Sequence, residues 1–347
     1  MLDKTTYLCT AKDGLILQGM SWRDPSVASK AVLLIVHGMT EHCLRYDSFA
    51  SYLASNGIQV FSFDLRGHGK TTPDEEDRGF FAAKGGVDML MSDVACVRDK
   101  IQEILACDTL GALPFMMLGH SMGSFITSCY CKRTHAEGLD GVILSGTTAL
   151  PGPVGFARRL ARMQSTILGP KSRGHFLTKL AFGGYNSRCI PKRTSKDWLS
   201  RDPEIVDAYL AEPACTFIFK AAGFYDLFSM LGEIGPHNWT DQVPDDVPVY
   251  LFCGEMDPVG NYGKGPKTLQ KWFIDTGHGV DLKIYSGCRH ETINEINKEE
   301  VYADVLSFII EHSQRKTPLR GAMASGPGAT NRSKTHGAMS HENASVQ

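Results

Sequence analysis

The residues best suited to covalent chemistry lie in Gly119-His120-Ser121-Met122-Gly123, directly after the apolar run 114–118 (PFMML). The run indicates a buried strand, and residues 122–135 have helical spacing. A serine at such a sharp strand-to-helix turn exposes its hydroxyl, and the flanking glycines let the two elements pack closely. The sequence therefore predicts Ser121 as a nucleophile.

A serine hydroxyl is a weak nucleophile at neutral pH, so it needs a base, and the base needs a carboxylate that orients it. With this type of turn, the acid and then the histidine follow the serine along the chain, each in a loop after a strand. Asp257 and His290 each follow a short apolar run in the last third of the sequence. We predict them as the partners of Ser121, with Glu255 as the competing acid.

Acyl transfer also needs hydrogen-bond donors for the negative charge that develops on the carbonyl oxygen. The backbone N–H of Met122, the residue after the nucleophile, is one such donor. The second should come from the loop after the apolar run 31–37, where Gly38 permits a close approach. We assign this role to the N–H of Met39.

Short apolar runs alternate with longer amphipathic segments through most of the chain. Strands that are apolar throughout are typical of a parallel sheet covered on both faces. The sequence therefore predicts an α/β fold, with a mostly parallel central sheet and helices on both faces. The predicted elements are a hairpin over 5–22, strands at 31–37, 58–63, 114–118, 141–144, 249–252 and 282–285, and helices at 46–56, 87–107, 122–135 and 299–312.

The alternation breaks between residues 147 and 243, a stretch with helix-like segments, few strand signals and many Pro and Gly residues. We interpret this stretch as a helical cap inserted into an α/β core made of residues 1–146 and 244–311. Residues 312–347 contain no aromatic residue and no Ile. Such a composition cannot bury enough apolar surface to offset its ordering entropy, so we predict a disordered tail.

Charge is divided unevenly within the predicted cap. Residues 158–196 hold ten Lys/Arg and no Asp/Glu, whereas residues 197–246 hold ten Asp/Glu and two Lys/Arg. The basic half is also amphipathic, so one hypothesis is that it contacts anionic lipid head groups and makes transient contact with a membrane surface. The alternative is that the two halves neutralise each other.

Composition excludes several other classes of protein. The formal net charge of −2 gives no sign of a nucleic-acid partner. The N-terminal residues include an early acid and no apolar core, so we predict no signal peptide. The ten cysteines form no C-x-x-C pair, and we identify no Cys/His spacing typical of a zinc site. We therefore expect buried thiols, no metal site, no cofactor and a cytoplasmic protein, peripheral to a membrane at most.

Over about residues 10–311 the chain resembles the α/β-hydrolase superfamily, and more narrowly its monoacylglycerol lipase and lysophospholipase group. The motifs that carry the resemblance, in chain order, are HGMTEH at 37–42 with Arg45-Tyr46, DLRGHG at 64–69, GHSMG at 119–123, GEMDP at 254–258 and RHE at 289–291. The resemblance implies ester hydrolysis with a mobile cap over an acyl-chain pocket. The cap itself matches no pattern that assigns its binding residues.

The function that we expect is therefore hydrolysis of single-chain lipid esters, such as monoacylglycerols or lysophospholipids, through a Ser-His-Asp triad and an acyl-enzyme. Three alternatives stay open at this point. They are a general short-chain carboxylesterase, a serine aminopeptidase or amidase whose substrate amine meets the acidic half of the cap, and a non-catalytic ligand-binding protein on the same fold.

Overall fold

The central element is one sheet of eight strands, seen in a computed structural model that describes residues 1–107, 113–149 and 153–313. The order across the sheet is β1-β2-β4-β3-β5-β6-β7-β8. In chain order the strands are β1 (Asp3–Thr10), β2 (Ile16–Arg23), β3 (Ala31–Val36), β4 (Ile58–Phe63), β5 (Phe115–His120), β6 (Gly141–Ser145), β7 (Val249–Gly254) and β8 (Val280–Tyr285).

The strands from β4 to β8 across the sheet run parallel, while β1 and β2 form an antiparallel edge. The predicted fold class is therefore confirmed, and the predicted hairpin over 5–22 is the pair β1–β2. Parallel strands place their carboxyl ends at one edge of the sheet. The loops after β3, β5, β7 and β8, which we call the carboxyl-end loops, meet there.

Helices cover both faces because side chains alternate along each buried strand. Val32, Leu34 and Val36 of β3 face one layer, and Leu33 and Ile35 face the other. The helices in chain order are α1 (Asp47–Ser55), α2 (Gly86–Cys107), α3 (Met122–Thr134), α4 (Val154–Leu168), α5 (His175–Phe182), α6 (Pro203–Ala211), α7 (Ala221–Ile234), α8 (Lys264–Asp275) and α9 (Lys298–Ser313). Helices α1 and α9 pack on one face, and α2, α3 and α8 pack on the other.

The segment between β6 and β7 contains α4, α5, α6 and α7. Helix α4 packs along α7 through the buried Ala157 and Ala161. A smaller apolar cluster around Trp198 and Tyr209 completes the packing of this segment. The segment belongs to the same compact unit as the sheet, and its division from the core as a cap stays a prediction.

The C-terminal part of the described chain is α9, which ends at Ser313. The predicted tail beyond this helix lies outside the described residues. Within the described ranges, no helix combines the length and the apolar character that crossing a membrane requires.

Candidate active site

Ser121 lies at the turn between β5 and α3, with backbone angles of φ 53° and ψ −121°. A non-glycine residue in this region is strained by about 1–3 kcal/mol, and such strain is found most often at functional sites. Hydrogen bonds hold the turn in place. The Ser121 N–H donates to the Ser145 carbonyl (2.9 Å), and the Ser124 N–H donates to the Ser121 carbonyl (2.8 Å). The serine side chain is thereby presented at the carboxyl edge of the sheet.

The flanking glycines are required because the backbone of neighbouring elements passes directly over them. A Cβ on Gly119 would overlap the Gly123 carbonyl, and a Cβ on Gly123 would overlap the Val36 carbonyl. A Cβ on Gly38 would lie only 3.1 Å from the Ser121 Cβ. The glycine spacing seen in the sequence thus reflects how closely β3, β5 and α3 approach one another.

Asp257 and His290 meet in a buried contact at the same edge. The His290 Nδ1 lies 2.9 Å from the Asp257 Oδ1, and both side chains are excluded from solvent. Burial is the largest influence on the imidazole and lowers its pKa. The charge and hydrogen bond of Asp257, together with the negative charges of Glu291 and Glu41, outweigh it and raise the pKa of His290 above 6.5. The site therefore stabilises the imidazolium form.

Glu255, the competing acid, lies elsewhere. Its exposed carboxylate accepts hydrogen bonds from the Ser286 hydroxyl and the Gly287 N–H, each at 2.9 Å. It therefore orders the loop that leads to His290 instead of contacting the imidazole.

Ser121 and His290 line the same cavity. Among the described residues, the structure records no hydrogen bond between the Ser121 hydroxyl and the imidazole. In ligand-free enzymes such contacts are often long and tighten only when substrate binds. The His290 imidazole packs directly against Gly146 (φ 58°), where a Cβ would lie only 2.8 Å from the His290 Cε1.

The two backbone amides predicted as oxyanion donors flank Ser121. Met122 is the first residue of α3, where N–H groups have no partner within the helix. Met39 follows Gly38 in the loop after β3. No described residue accepts a hydrogen bond from either amide. Both N–H groups therefore stay available to a ligand, and both residues line the cavity space next to Ser121.

A buried ion-pair network beside the site was not assigned by the sequence reasoning. Arg45 contacts the Glu291 carboxylate directly and lies 3.5 Å from the Glu41 carboxylate. Glu41 in turn accepts a hydrogen bond from the Gly38 N–H. Burial, with repulsion from Glu291, raises the pKa of Glu41 to about 7. The network joins the Gly38–Met39 loop to the His290 loop.

The spacing of Glu41 and Arg45 is that of an i,i+4 ion pair and is a local sequence signal for this network. The partner Glu291 is remote along the chain and could not be identified from spacing. All three side chains lie in motifs that carry the family resemblance, but their contact with one another was found only through the fold.

Two cavities meet at Ser121, and Met39 and Phe182 also line both of them. The first, of about 510 Å³, has polar groups in its lining, among them Glu41, His290 and Glu291. The second, of about 360 Å³, has no charged residue among the described residues of its lining. Its lining includes Met122, Phe125, Val154, Ala157, Leu227 and Leu231. Most of the surface in both cavities is apolar, but we call the first the polar cavity for its charged side chains and the second the apolar cavity. Both volumes lie in the range of small-molecule sites.

Comparison with known proteins identifies several similar chains. A family model described as serine aminopeptidase, S33, matches residues 27–297. The monoacylglycerol lipase of Mycolicibacterium smegmatis is 28% identical over 293 residues, which cover 83% of this chain and 91% of that protein. The mouse monoglyceride lipase is 29% identical over 317 residues, which cover 89% and 90%.

Among solved structures, a highly thermostable carboxyl esterase from Bacillus coagulans, in complex with glycerol, superimposes with a TM-score of 0.81. It is 30% identical, and the match covers 89% of this chain and 99% of that one.

Proposed function

Since the chain belongs to the α/β-hydrolase family described as serine aminopeptidase, S33, we propose that it cleaves single-chain lipid esters by a Ser121–His290–Asp257 triad. The chain is a serine hydrolase that acts on carboxylic esters, and its relatives are lipases and esterases. Monoacylglycerols and lysophospholipids are the substrates that we propose. The observation that carries the proposal is the position of Ser121 where an apolar and a polar cavity meet.

In the proposed mechanism the Ser121 oxygen attacks the ester carbonyl while the His290 Nε2 takes the hydroxyl proton. Asp257, on Nδ1, holds the ring and stabilises its charged form. The amides of Met39 and Met122 donate to the oxyanion of the tetrahedral intermediate. His290 then gives its proton to the leaving alcohol, which leaves an acyl-enzyme. Water, activated by the same imidazole, releases the fatty acid and restores the Ser121 hydroxyl.

The division of the lining into two parts supports an amphiphilic substrate. The apolar cavity offers aliphatic and aromatic side chains to an acyl chain, at about 25 cal/mol per Å² of apolar surface removed from water. The polar cavity offers charged and hydrogen-bonding groups to a hydroxylated leaving group. An ester with one chain and a polar alcohol would place its carbonyl at the junction, beside Ser121.

The name of the family makes an aminopeptidase the second candidate, but the charges in the cavity do not favour it. A substrate ammonium needs a carboxylate that has no other cation. The acidic residues that line the catalytic cavities are Glu41 and Glu291, and Arg45 lies against both. The acidic half of the predicted cap adds no carboxylate to either lining.

We also propose that α4 is the site of transient membrane contact. Phe156, Met163 and Ile167 form an exposed apolar stripe, with Ile167 71% exposed. In the described part of the chain, Arg158, Arg159 and Arg162 of the same helix form no ion pair. One ion pair, Arg193–Asp207, joins the two halves of the predicted cap there. Ion pairing between the two halves therefore does not involve these three arginines, and they are available to anionic lipid head groups.

The test of the proposed hydrolysis is a substrate panel with wild type and Ser121→Ala. The panel holds monoacylglycerols, lysophospholipids, p-nitrophenyl esters of increasing chain length and aminoacyl amides. Ser128→Ala is the matched control, because Ser128 is a buried serine in the middle of α3 that lies outside both cavities.

We expect Ser121→Ala to lose at least about 10³-fold in kcat/KM on long-chain esters, and Ser128→Ala to keep the activity. A preference for short chains would instead indicate a general carboxylesterase. Cleavage of the amides without the esters would overturn the proposal in favour of a peptidase. Equal activity of Ser121→Ala and wild type would remove Ser121 from the mechanism.

A further inference from the structure

Three side chains with metal-binding atoms converge outside the triad. His42 lies in the loop after β3, while Glu212 and Cys215 follow α6. The imidazole nitrogen, a carboxylate oxygen and the sulfur all lie within 4.8 Å of one another. The His42 Nε2 is 2.8 Å from the Glu212 Oε1, and the Cys215 Sγ is 3.8 Å from the Glu212 Oε2. We propose that His42, Glu212 and Cys215 form a binding site for a zinc-class divalent cation.

The choice of ion follows from the ligand atoms. Thiolate and imidazole together, with one carboxylate, suit Zn²⁺ and its close neighbours better than Mg²⁺ or Ca²⁺, which prefer oxygen alone. Bonds of 2.0–2.3 Å in tetrahedral geometry put ligand atoms about 3.3–3.8 Å apart. The observed separations differ from this spacing by about an ångström or less, which side-chain rotation can supply. The position that completes the tetrahedron would be taken by water or another small ligand.

Among the described residues, the ligand atoms of His42 and Cys215 have Glu212 as their only polar side-chain partner. The His42 Nε2 is buried and makes no well-aligned hydrogen bond, although the Glu212 carboxylate is close. The Glu212 carboxylate, at 2.8 Å, is its nearest polar group, and a bound cation would be ligated by both. Cys215 is buried, and its thiol contacts only the Glu212 carboxylate as a hydrogen-bond partner among the described residues.

The guanidinium groups nearby have carboxylates of their own. Arg45 contacts Glu291, and Arg78 lies 3.4 Å from the Glu75 carboxylate and donates to the Pro213 carbonyl. Neither competes with an ion for Glu212. An entry path also exists, since His42 and Glu212 line a surface cavity of about 490 Å³. Binding would release the Cys215 thiol proton to solvent as the sulfur becomes a thiolate ligand.

Such an ion would tie together two segments that line the polar cavity. His42 lies three residues after Met39, and Cys215 itself lines the cavity that contains Ser121. At present a hydrogen bond between the hydroxyls of Thr40 and Tyr209, at 2.7 Å, joins the same two segments. The expectation of no metal site rested on local Cys/His spacing, whereas His42 is remote along the chain from Glu212 and Cys215.

The experiment titrates the metal-free full-length chain with Zn²⁺ in competition with a chromophoric chelator. We expect one ion per chain, and at least about tenfold weaker binding in His42→Ala, Cys215→Ser and Glu212→Gln. Glu212 is 41% exposed, so Glu212→Gln removes a ligand with little risk to folding. The matched controls are Cys189→Ser and His237→Ala. Cys189 is a buried thiol that is not one of the three ligands, and His237 is a histidine 3.7 Å from the Asp275 carboxylate and likewise outside the ligand set.

A second measurement replaces zinc by Co²⁺ and records the thiolate-to-cobalt charge-transfer band. This band should be present in wild type and Cys189→Ser and absent in Cys215→Ser. Binding that is equal in wild type and all three ligand variants would overturn the proposal, and so would the lack of binding at a large molar excess of Zn²⁺. A zinc-dependent rise in Tm for wild type but not for Glu212→Gln would support it.

Discussion

Arginine has opposite surroundings in two regions of the molecule. At the carboxyl-end loops, Arg45 is buried between two carboxylates, one from the loop after β3 and one from the loop after β8. On α4, Arg158, Arg159 and Arg162 are exposed beside an exposed apolar stripe. The first arrangement fixes the positions of loops, and the second leaves charge available to an external partner. The comparison shows that charge count alone does not distinguish a positioning role from a surface role.

The largest expected effect separates the two acids after β7. Asp257→Asn should lower kcat by about 10³–10⁴-fold, because the imidazole loses the charge that orients it and stabilises its protonated form. Glu255→Gln should change kcat by less than about twofold, since its carboxylate contacts only the loop at Ser286 and Gly287. Steady-state hydrolysis of a p-nitrophenyl ester measures both. A larger loss of kcat in Glu255→Gln than in Asp257→Asn would show that Asp257 is not the acid that orients His290.

The next prediction tests the comparison directly through stability. Arg45→Met should lower the free energy of unfolding by about 3–5 kcal/mol, because it leaves Glu41 and Glu291 buried without their cation. Arg159→Met should change it by less than about 0.5 kcal/mol, because this side chain is exposed. Denaturant unfolding of the two variants against wild type provides the values. Equal changes in the free energy of unfolding for Arg45→Met and Arg159→Met would mean that the buried arginine contributes no more to stability than the exposed one.

A third prediction concerns the exposed arginines. The triple variant Arg158→Ser, Arg159→Ser, Arg162→Ser should bind anionic vesicles about 10–100-fold more weakly, since each charge near such a surface contributes up to about 1 kcal/mol. Hydrolysis of a short soluble ester should stay unchanged, because these residues lie outside both cavities. Sedimentation with vesicles of anionic and of neutral lipid measures the fraction of protein bound to each kind of vesicle. Vesicle binding that does not change would remove the membrane role of α4.

The smallest expected effect is on pH dependence. His290 must be neutral to accept the Ser121 proton, so kcat/KM should fall as the pH drops through its raised pKa. Glu291→Gln removes one of the charges that raise this pKa, so the acid limb should move to lower pH, by less than about one unit. A pH–rate profile of both proteins measures the shift. A move to higher pH would contradict the assigned direction.

The same raised pKa has a consequence for stability with the opposite sign. The folded protein binds the imidazole proton more tightly than the unfolded chain does. The stabilisation from protonated His290 is therefore fully present below the unfolded pKa of about 6.5 and is lost as the pH rises through the folded pKa.

Much of the fold could be predicted because most strands are short apolar runs bounded by turn residues. The strand at 58–63 was identified to the residue, whereas β5 extends two residues beyond the predicted end at 118. Helix α8 (Lys264–Asp275) was not predicted, because its first turn holds Gly265 and Pro266 and lacks a side-chain N-cap. Local sequence signals therefore predict the type of an element more reliably than the residues at which it begins and ends.

The residues of the candidate site could be predicted where sequence order and strand ends define them, as for Ser121 and His290. The sequence already favoured Asp257 over Glu255. In the structure Asp257 contacts His290 because of the turn after β7. In this turn the Met256 N–H donates to the Cys288 carbonyl and the Asp257 N–H donates to the Gly254 carbonyl. The contact of Arg45 with Glu291 depended on tertiary structure alone. The paths of α4 to α7 likewise depend on packing, which composition does not encode.

The order of the strands has a consequence for how the chain folds. β6 and β7 are neighbours in the sheet, yet the whole segment with α4 to α7 separates them along the chain. Closing so long a loop costs entropy before the β6–β7 pairing contributes, and topologies rich in such remote pairs fold slowly. Ser121 precedes this loop, whereas Asp257 and His290 follow it. During synthesis, a nascent chain that ends before β7 contains the strained serine turn and neither of the two other residues of the proposed triad.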